Sequence, residues 1–204
     1  MHYIEHLSKD RRLKKLFAGG TTYQLKKRKN IPLYLCASIM SQQLSVKVAD
    51  VIYQRFLNLF DGEEPTPQQV IDTPSETLRA IGLSNAKVSY VKNVATFAVE
   101  FGMEHRKLAK MTDEEVIMYL TRIKGVGRWT VEMLLMFALG REDVFAIDDL
   151  GIQNAMIGIY KLKREDKKKF RADMLRISSK WTPYRTYACR HLWRWKDNAP
   201  EKKG

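Results

Sequence analysis

Cysteine is scarce in this 204-residue chain, where only Cys36 and Cys189 occur. Two isolated thiols exclude a disulfide framework, a cysteine zinc cluster and a four-cysteine iron–sulfur site. No second histidine or cysteine lies at ligand spacing from His191, which we therefore interpret as a structural residue. We expect two buried thiols, no transition-metal site and no cofactor.

A long hydrophobic run is also absent. No apolar stretch approaches the roughly 20 residues that a membrane-spanning helix needs. The start of the chain, MHYIEHLSKD, lacks the apolar centre of a signal peptide. These absences predict an intracellular protein without a membrane partner.

Acidic residues are outnumbered by basic ones. The chain has 23 Asp and Glu against 36 Lys and Arg, a formal net charge of +13. This excess favours a polyanionic partner, with nucleic acid ahead of a membrane surface. The expected location is therefore with DNA, which would be the cytoplasmic nucleoid in a bacterium. The basic run at 26–30, KKRKN, is either a solvated face or a phosphate contact.

The two-residue alternation of β-strands is missing over any useful length, whereas apolar residues recur at three- and four-residue spacing. The sequence therefore predicts an all-α protein of about ten helices. With 45% hydrophobic residues, we expect one compact domain over residues 1–204, a frayed tail over 197–204 and a monomer as the simplest state.

Several helix boundaries can be predicted from local signals. Thr66, Thr73 and Thr112 each stand three residues before Gln or Glu, which is the spacing of a capping box. Ser84 begins a helix that should run to Gly102. Other helices are predicted over 9–17, from Ser45 to Asp61-Gly62, over 114–122, 150–160 and 164–177, and from Thr182-Pro183 onward.

The stretch from Ile123 to Asp149 combines a glycine turn, a helix and two carboxylates. Gly125 and Gly127 permit a positive φ and a close backbone approach. The helix after them would begin with open N–H groups, which suit a phosphate. Asp148 or Asp149 would cap the following helix. A phosphate anchor near a carboxylate indicates chemistry on a nucleic-acid backbone or base.

Several stretches resemble a known family. LTRIKGVGRWTVEMLLMFAL resembles a helix–hairpin–helix over about residues 113–139, and DVFAIDDLGIQ resembles the Gly/Pro-rich loop and catalytic aspartate of the helix–hairpin–helix DNA glycosylase superfamily. SIMSQQLSVKVADVI, IGLSNAKVSYVKNVA and WTPYRTYACRHLW extend the resemblance to roughly residues 31–195. Two departures are Lys124, in place of the usual proline, and a loop poor in glycine and proline.

Within the superfamily the chain resembles the 3-methyladenine DNA glycosylase II branch. Trp129 stands where bifunctional relatives carry a nucleophilic lysine. The resemblance implies two helical subdomains with a cleft between them and duplex DNA with a damaged base as the partner. It also implies excision of alkylated purines, such as 3-methyladenine and 7-methylguanine, in base excision repair without lyase activity. By the family's pattern Asp149 is catalytic; from the residues alone, a role only as an N-cap is an equal alternative.

The resemblance also assigns a pocket for the flipped base to Trp129, Trp193, Met133 and Leu150. A cationic base would stack on the tryptophans, although a tryptophan at helical spacing is more often a core residue. Three tyrosines are further candidates that the sequence does not rank: Tyr53, Tyr184 and Tyr187.

The polar corner SQQLS at 41–45 matches the family's wedge, which fills the gap left by the flipped base. Gln43 takes the wedge position, with Gln42 and Leu44 beside it; the alternative is a solvated loop with one buried leucine. The implied phosphate contacts are Gly125, Val126, Gly127, Arg128 and Lys124. In the family a monovalent cation often joins the hairpin carbonyls to this phosphate.

Two rival functions are also compatible with the sequence. An enzyme of the same fold could act on oxidised or mismatched bases, because Trp129 argues against lyase chemistry but not against every such substrate. A non-catalytic damaged-DNA binding protein would keep the hairpin and the basic surface. The presence of Asp149 weighs against the second rival.

Overall fold

The computed structural model describes residues 2–198, and this part of the chain contains thirteen α-helices, two 3₁₀ turns and no strand. The all-α prediction is confirmed. The helices outnumber the expected ten because five of them have only four to six residues. None of the helices in the described part is long and apolar enough to cross a membrane.

In chain order the helices are α1 (His2–Leu7), α2 (Arg11–Lys14), α3 (Ile31–Ser41), α4 (Val46–Asn58), α5 (Pro67–Asp72), α6 (Ser75–Ala80), α7 (Asn85–Phe101), α8 (His105–Leu108), α9 (Asp113–Leu120), α10 (Arg128–Phe137), α11 (Leu150–Tyr160), α12 (Lys167–Ser178) and α13 (Arg185–Asn198). The 3₁₀ turns are Lys15–Phe17 and Ser179–Trp181.

The chain divides into two compact units, as the resemblance implies. Unit 1 consists of Met1–Lys26 and Gly140–Gly204, and unit 2 of Lys27–Leu139. The helix–hairpin–helix belongs to unit 2, whereas Asp149 and the C-terminal helix belong to unit 1.

Unit 2 is built around α7, which packs against α3 and α5. The apolar face of α7 is buried, with Val91 and Val94 fully enclosed. On α4 fewer apolar residues are buried than on α7. Ile52 and Phe56 are buried, but Val48 is 46% exposed. The first turns of α4 therefore present apolar side chains at the surface.

Unit 1 contains α11 packed against α13. A Cβ on Gly158 would lie 2.3 Å from the Trp195 ring, so the glycine allows this close approach. The Asp10 carboxylate accepts hydrogen bonds from the hydroxyl of Tyr160 at 2.7 Å and from Nε1 of the fully buried Trp181 at 3.1 Å. Burial raises the pKa of Asp10, but these two bonds and the amides of α2 outweigh it, so the pKa is lowered.

His191 also lies in unit 1 and is buried against the rings of Phe17, Tyr23 and Tyr3. Desolvation, assisted by Arg194 and Arg190, lowers the pKa of His191 to about 4. The imidazole is thus a neutral core group at neutral pH, in agreement with a structural role. Cys36 and Cys189 are buried thiols, as expected.

Two of the three predicted capping boxes form. Thr66 pairs with Gln69, and Thr112 with Glu115, each in both directions. The prediction for Thr73 is wrong. Its hydroxyl instead donates to the carbonyl of Gln69 at 2.7 Å and so closes α5.

Other helix ends differ from the prediction by a few residues. The first predicted helix is shorter because the Asp10 carboxylate caps α2 and the chain then tightens into a 3₁₀ turn. Asp166 likewise caps α12, which delays its start to Lys167. In the predicted frayed tail, 197 and 198 form the last turn of α13, and 199–204 lie outside the described residues.

Candidate active site

The glycine turn joins α9 to α10 in unit 2. Gly125 has a φ of +101°, and a Cβ there would lie 2.2 Å from Cγ of Tyr90 on α7. Val126 is buried, and its N–H donates to the carbonyl of Ile123 at 3.0 Å. Gly127 is the N-cap of α10 and has no side chain to cap the helix. Gly127 supplies no side-chain acceptor to the backbone N–H groups at the positive N-terminal end of α10. This helix start is therefore suited to bind an anion.

Arg128 stands at the first position of α10, where a phosphate contact was predicted. Its guanidinium donates to Glu114, and at 3.1 Å to Glu132, which is buried on the same helix. Glu114 has a lowered pKa, chiefly because of this bond. The arginine charge is therefore already balanced by carboxylates, and its phosphate contact stays a prediction.

Lys124 has an exposed side chain next to the turn. Its backbone carbonyl accepts a hydrogen bond from Nδ2 of Asn93 at 3.1 Å. The hairpin carbonyls of Ile123 and Lys124 thus each have one lone pair in use. The monovalent cation that the resemblance implies at these carbonyls stays a prediction.

The polar corner follows the end of α3. Gln43 is exposed at its tip and has the left-handed φ of +59°, which is uncommon for a residue with a side chain. Leu44 is 37% exposed, so the expectation of a buried leucine in this loop is wrong, whereas the solvated loop itself stays an alternative to the wedge. Nζ of Lys87 donates to the carbonyls of Met40 and Gln42, both at 2.8 Å. The corner therefore carries exposed polar and apolar side chains on a backbone that Lys87 fixes by two hydrogen bonds.

A cavity of about 570 Å³ lies beside this corner within unit 2. Trp129, at the start of α10, is 42% exposed there, whereas Met133 one turn later is buried. The other lining residues come mainly from α3 and α4: Tyr34, Ala37, Ser38, Ser41, Leu44, Val46, Ala49, Asp50, Tyr53 and Phe137. Aromatic and apolar side chains dominate this list, so the cavity suits a flat ring.

Tyr53 is one of the tyrosines that the sequence offers as pocket candidates, whereas Tyr34 is not among them. The Tyr34 hydroxyl donates to the carbonyl of Met133 at 3.3 Å, and burial raises its pKa to about 12, against a smaller lowering by Arg28. Tyr34 follows Pro32 in a strongly apolar helix, where nothing local marks the side that faces α10. Only the contact between helices distant in sequence identifies it.

The Asp149 carboxylate caps α11 in unit 1. Its Oδ1 accepts the backbone N–H of Ile152 at 2.8 Å and Nε1–H of Trp193 at 2.8 Å. The residue is 9% exposed. The neighbouring Asp148 is half-exposed and forms an ion pair with Arg171. Two adjacent aspartates are thus held differently, and only Asp149 is buried and oriented by a helix start.

The remaining predicted residues of unit 1 separate by environment. Trp193 is half-buried with its indole edge on Asp149, while Leu150 is 62% exposed at the first position of α11. Tyr187 is buried, stacks on Tyr3 with ring centroids 4.1 Å apart and donates to Glu142 at 2.7 Å. Tyr187 is therefore a core residue, and Trp193 is a partner of the carboxylate.

Comparison with known proteins identifies the family. Residues 36–180 match the model of the HhH-GPD superfamily base excision DNA repair protein. The chain is 38% identical over 162 residues to DNA-3-methyladenine glycosylase 1 of Schizosaccharomyces pombe, covering 78% of this chain and 70% of the relative.

Two solved structures are also similar. The 3-methyladenine DNA glycosylase of Schizosaccharomyces pombe in complex with abasic DNA has a TM-score of 0.83 and 33% identity, covering 98% of both chains. A DNA-3-methyladenine glycosidase from Bacillus halodurans has a TM-score of 0.81 and 34% identity, covering 95% of this chain and 88% of the other. The resemblance noted in the sequence is confirmed, and the chain belongs to the HhH-GPD superfamily of base excision DNA repair proteins.

Proposed function

We propose that this protein is a monofunctional DNA glycosylase that hydrolyses the N-glycosidic bond of alkylated purines in duplex DNA. The observation that carries the proposal is the Asp149 carboxylate, buried at the start of α11 and oriented by the Ile152 amide and the Trp193 indole. The similarity to 3-methyladenine DNA glycosylases supports the substrate class.

The departure of the base needs little assistance from the enzyme. A 3-methyladenine or 7-methylguanine base carries a positive charge in the nucleotide, so it leaves as a neutral ring without being protonated first. As the bond to the sugar breaks, positive charge develops on the sugar. The Asp149 carboxylate would stabilise that charge and orient the water that adds to C1′. The water proton passes to the carboxylate or to solvent.

The cavity beside Trp129 is the proposed binding place for the flipped base. Its aromatic lining from Trp129, Tyr34 and Phe137 would attract an electron-poor or cationic ring through stacking and cation–π contacts. Lyase chemistry requires an amine that attacks C1′. An indole at the position of Trp129 cannot form a Schiff base, so we propose hydrolysis without strand cleavage.

DNA contacts are proposed for two loops of unit 2. The turn from Gly125 to Gly127 would hold a phosphate through backbone N–H groups, with Lys124 as an additional charge. Gln43 would enter the base stack as the wedge, with Leu44 adding apolar contact. These contacts carry affinity without reading base identity, so binding should weaken as salt is raised.

The test measures release of 3-methyladenine, 7-methylguanine and 8-oxoguanine from duplex DNA by wild type, Asp149→Asn and Asp148→Asn. We expect wild type to release the two alkylated bases, and Asp149→Asn to lose at least about 100-fold in single-turnover rate with DNA binding kept. Asp148→Asn is the matched control and should retain excision, because Asp148 pairs with Arg171.

Each alternative has its own outcome in this experiment. Preferred release of 8-oxoguanine would favour the enzyme of the same fold for oxidised bases. Binding without release of any base would favour the damaged-DNA binding protein. Full activity in Asp149→Asn would remove the carboxylate from the mechanism. Borohydride trapping of wild type on the same DNA tests the lyase statement, and a covalent adduct would contradict it.

A further inference from the structure

Lys87 connects helix α7 to the polar corner that carries Gln43. Its ammonium donates to the carbonyls of Met40 and Gln42, both at 2.8 Å. These carbonyls lie at the C-terminal end of α3, where backbone acceptors have no helical partner and a cation is favoured. The lysine thus closes α3 from a helix 45 residues further along the chain.

Lys87 is also partly shielded from water. Its side chain is half-buried, and desolvation lowers its pKa. Hydrogen-bond acceptors compensate a partly buried ammonium for the hydration that it loses. The two carbonyls provide that compensation, so the position of Lys87 and the backbone path of the corner depend on each other.

The corner needs such a fixed point. Gln43 has a φ of +59°. This conformation costs free energy in a residue with a side chain, and it persists only where neighbouring contacts impose it. Gln42, directly before it, receives one of the two lysine bonds. The Gln42 backbone also donates to the carbonyl of Ile39 at 3.3 Å. Removal of the ammonium would leave the tip of the corner with weaker constraints.

The same side of α7 also holds the glycine turn. Tyr90, three residues after Lys87, packs where a Cβ on Gly125 would be, and Asn93, six residues after, donates to the carbonyl of Lys124. Residues at i, i+3 and i+6 lie along one side of a helix, and six residues span about 9 Å. One rigid helix therefore contacts both loops proposed to hold DNA.

We propose that Lys87 is a positioning residue, which fixes the corner carrying Gln43 at a set distance from the phosphate-binding turn through α7. The inference rests on the proposed function, because a wedge matters only if a base leaves the duplex. It predicts a requirement for Lys87 with duplex substrates and little requirement with single-stranded ones, where no stack has to be opened.

The test compares Lys87→Met with Lys92→Met. Lys92 is a matched control on the same helix, since its Nζ also donates to a backbone carbonyl, that of Ile71, at 2.9 Å. Single-turnover excision of 7-methylguanine is measured on duplex and on single-stranded DNA. For Lys87→Met we expect the duplex rate to fall about tenfold, the size of one charged hydrogen bond, with the single-strand rate within about twofold. Lys92→Met should leave the ratio unchanged, and Lys87→Arg should restore part of it.

A parallel fall of both rates in Lys87→Met would indicate a general loss of stability, and that result would overturn the inference. So would an unchanged duplex rate in Lys87→Met. Amide hydrogen exchange over residues 41–45 provides a readout independent of activity. It should quicken in Lys87→Met and not in Lys92→Met, and equal exchange in both would contradict the inference. Wild type that releases no base would refute the proposed function, whereas the exchange result would still decide whether Lys87 fixes the corner.

Discussion

Helices α10 and α11 begin in opposite ways. At α10 the N-cap is Gly127, which offers the first N–H groups no side-chain acceptor. At α11 the N-cap is Asp149, whose carboxylate accepts the Ile152 amide at 2.8 Å. Both starts have the partial positive charge of a helix N-terminus. The start of α10 is suited to bind an anion from outside the protein, whereas the start of α11 already has an anion, the Asp149 carboxylate.

The two helix starts therefore have different expected roles, which are DNA binding for α10 and the reaction at the sugar for α11. A phosphate on α10 would strengthen binding to any DNA, damaged or not. A carboxylate kept at α11 would act on the sugar of one nucleotide only. Changes at the start of α10 should therefore alter DNA binding, and changes at the start of α11 should alter turnover.

The largest effect is expected for a variant in which α11 keeps an N-cap side chain but loses the negative charge of Asp149. Serine caps a helix about as well as aspartate, so Asp149→Ser should fold normally. We expect single-turnover excision to fall about 1,000-fold, because the developing charge on the sugar loses its counter-charge. Thermal unfolding measured beside the rate separates the two roles. A large loss of stability with modest loss of rate would mean that Asp149 is mainly a cap.

The next effect concerns the two glycines of the turn. Gly125→Ala would place a Cβ against the Tyr90 ring at a φ of +101°, so we expect the free energy of unfolding to fall by about 3 kcal/mol. Gly127→Ala is the control, because its φ is −95° and nothing lies within 4 Å of the added carbon. Urea unfolding of both variants checks this, and equal losses would contradict the assigned turn geometry.

A third variant gives α10 the kind of start that α11 has. Gly127→Asp would cap α10 with a carboxylate, leaving stability equal or slightly higher. The same charge would repel the phosphate, so DNA affinity should fall about tenfold. Gly127→Ser adds a neutral cap and should bind within about twofold of wild type. Fluorescence anisotropy with undamaged duplex DNA measures both, and equal affinities would exclude this helix start as the phosphate site.

Features that depend on neighbours in sequence could be predicted. The capping boxes at Thr66 and Thr112 form, and so does the helix start at Ser84, since each involves residues three apart. The glycine turn and the cap at Asp149 are equally local. Thr73 is the exception, because its hydroxyl can close the preceding helix as readily as open the next.

Features that depend on contacts across the chain could not be predicted. Lys87 lies in a stretch that supports the family resemblance, yet nothing in its neighbourhood indicates the carbonyls of Met40 and Gln42. Arg128 has the charge expected of a phosphate contact, but Glu114 lies on the preceding helix and pairs with it. Charge and spacing identify candidates, whereas packing between helices decides their partners.

The smallest effect is expected for a variant that removes one hydrogen bond to the Asp149 carboxylate at the start of α11. Trp193→Phe keeps an aromatic ring and removes the Nε1–H that donates to Asp149. Loss of one such hydrogen bond is worth about 1 kcal/mol, so excision should slow about fivefold with DNA affinity unchanged. Trp195→Phe is the control on the same helix, because its ring packs over Gly158. Equal slowing in the two variants, or a loss confined to binding, would show that the indole does not act through the carboxylate.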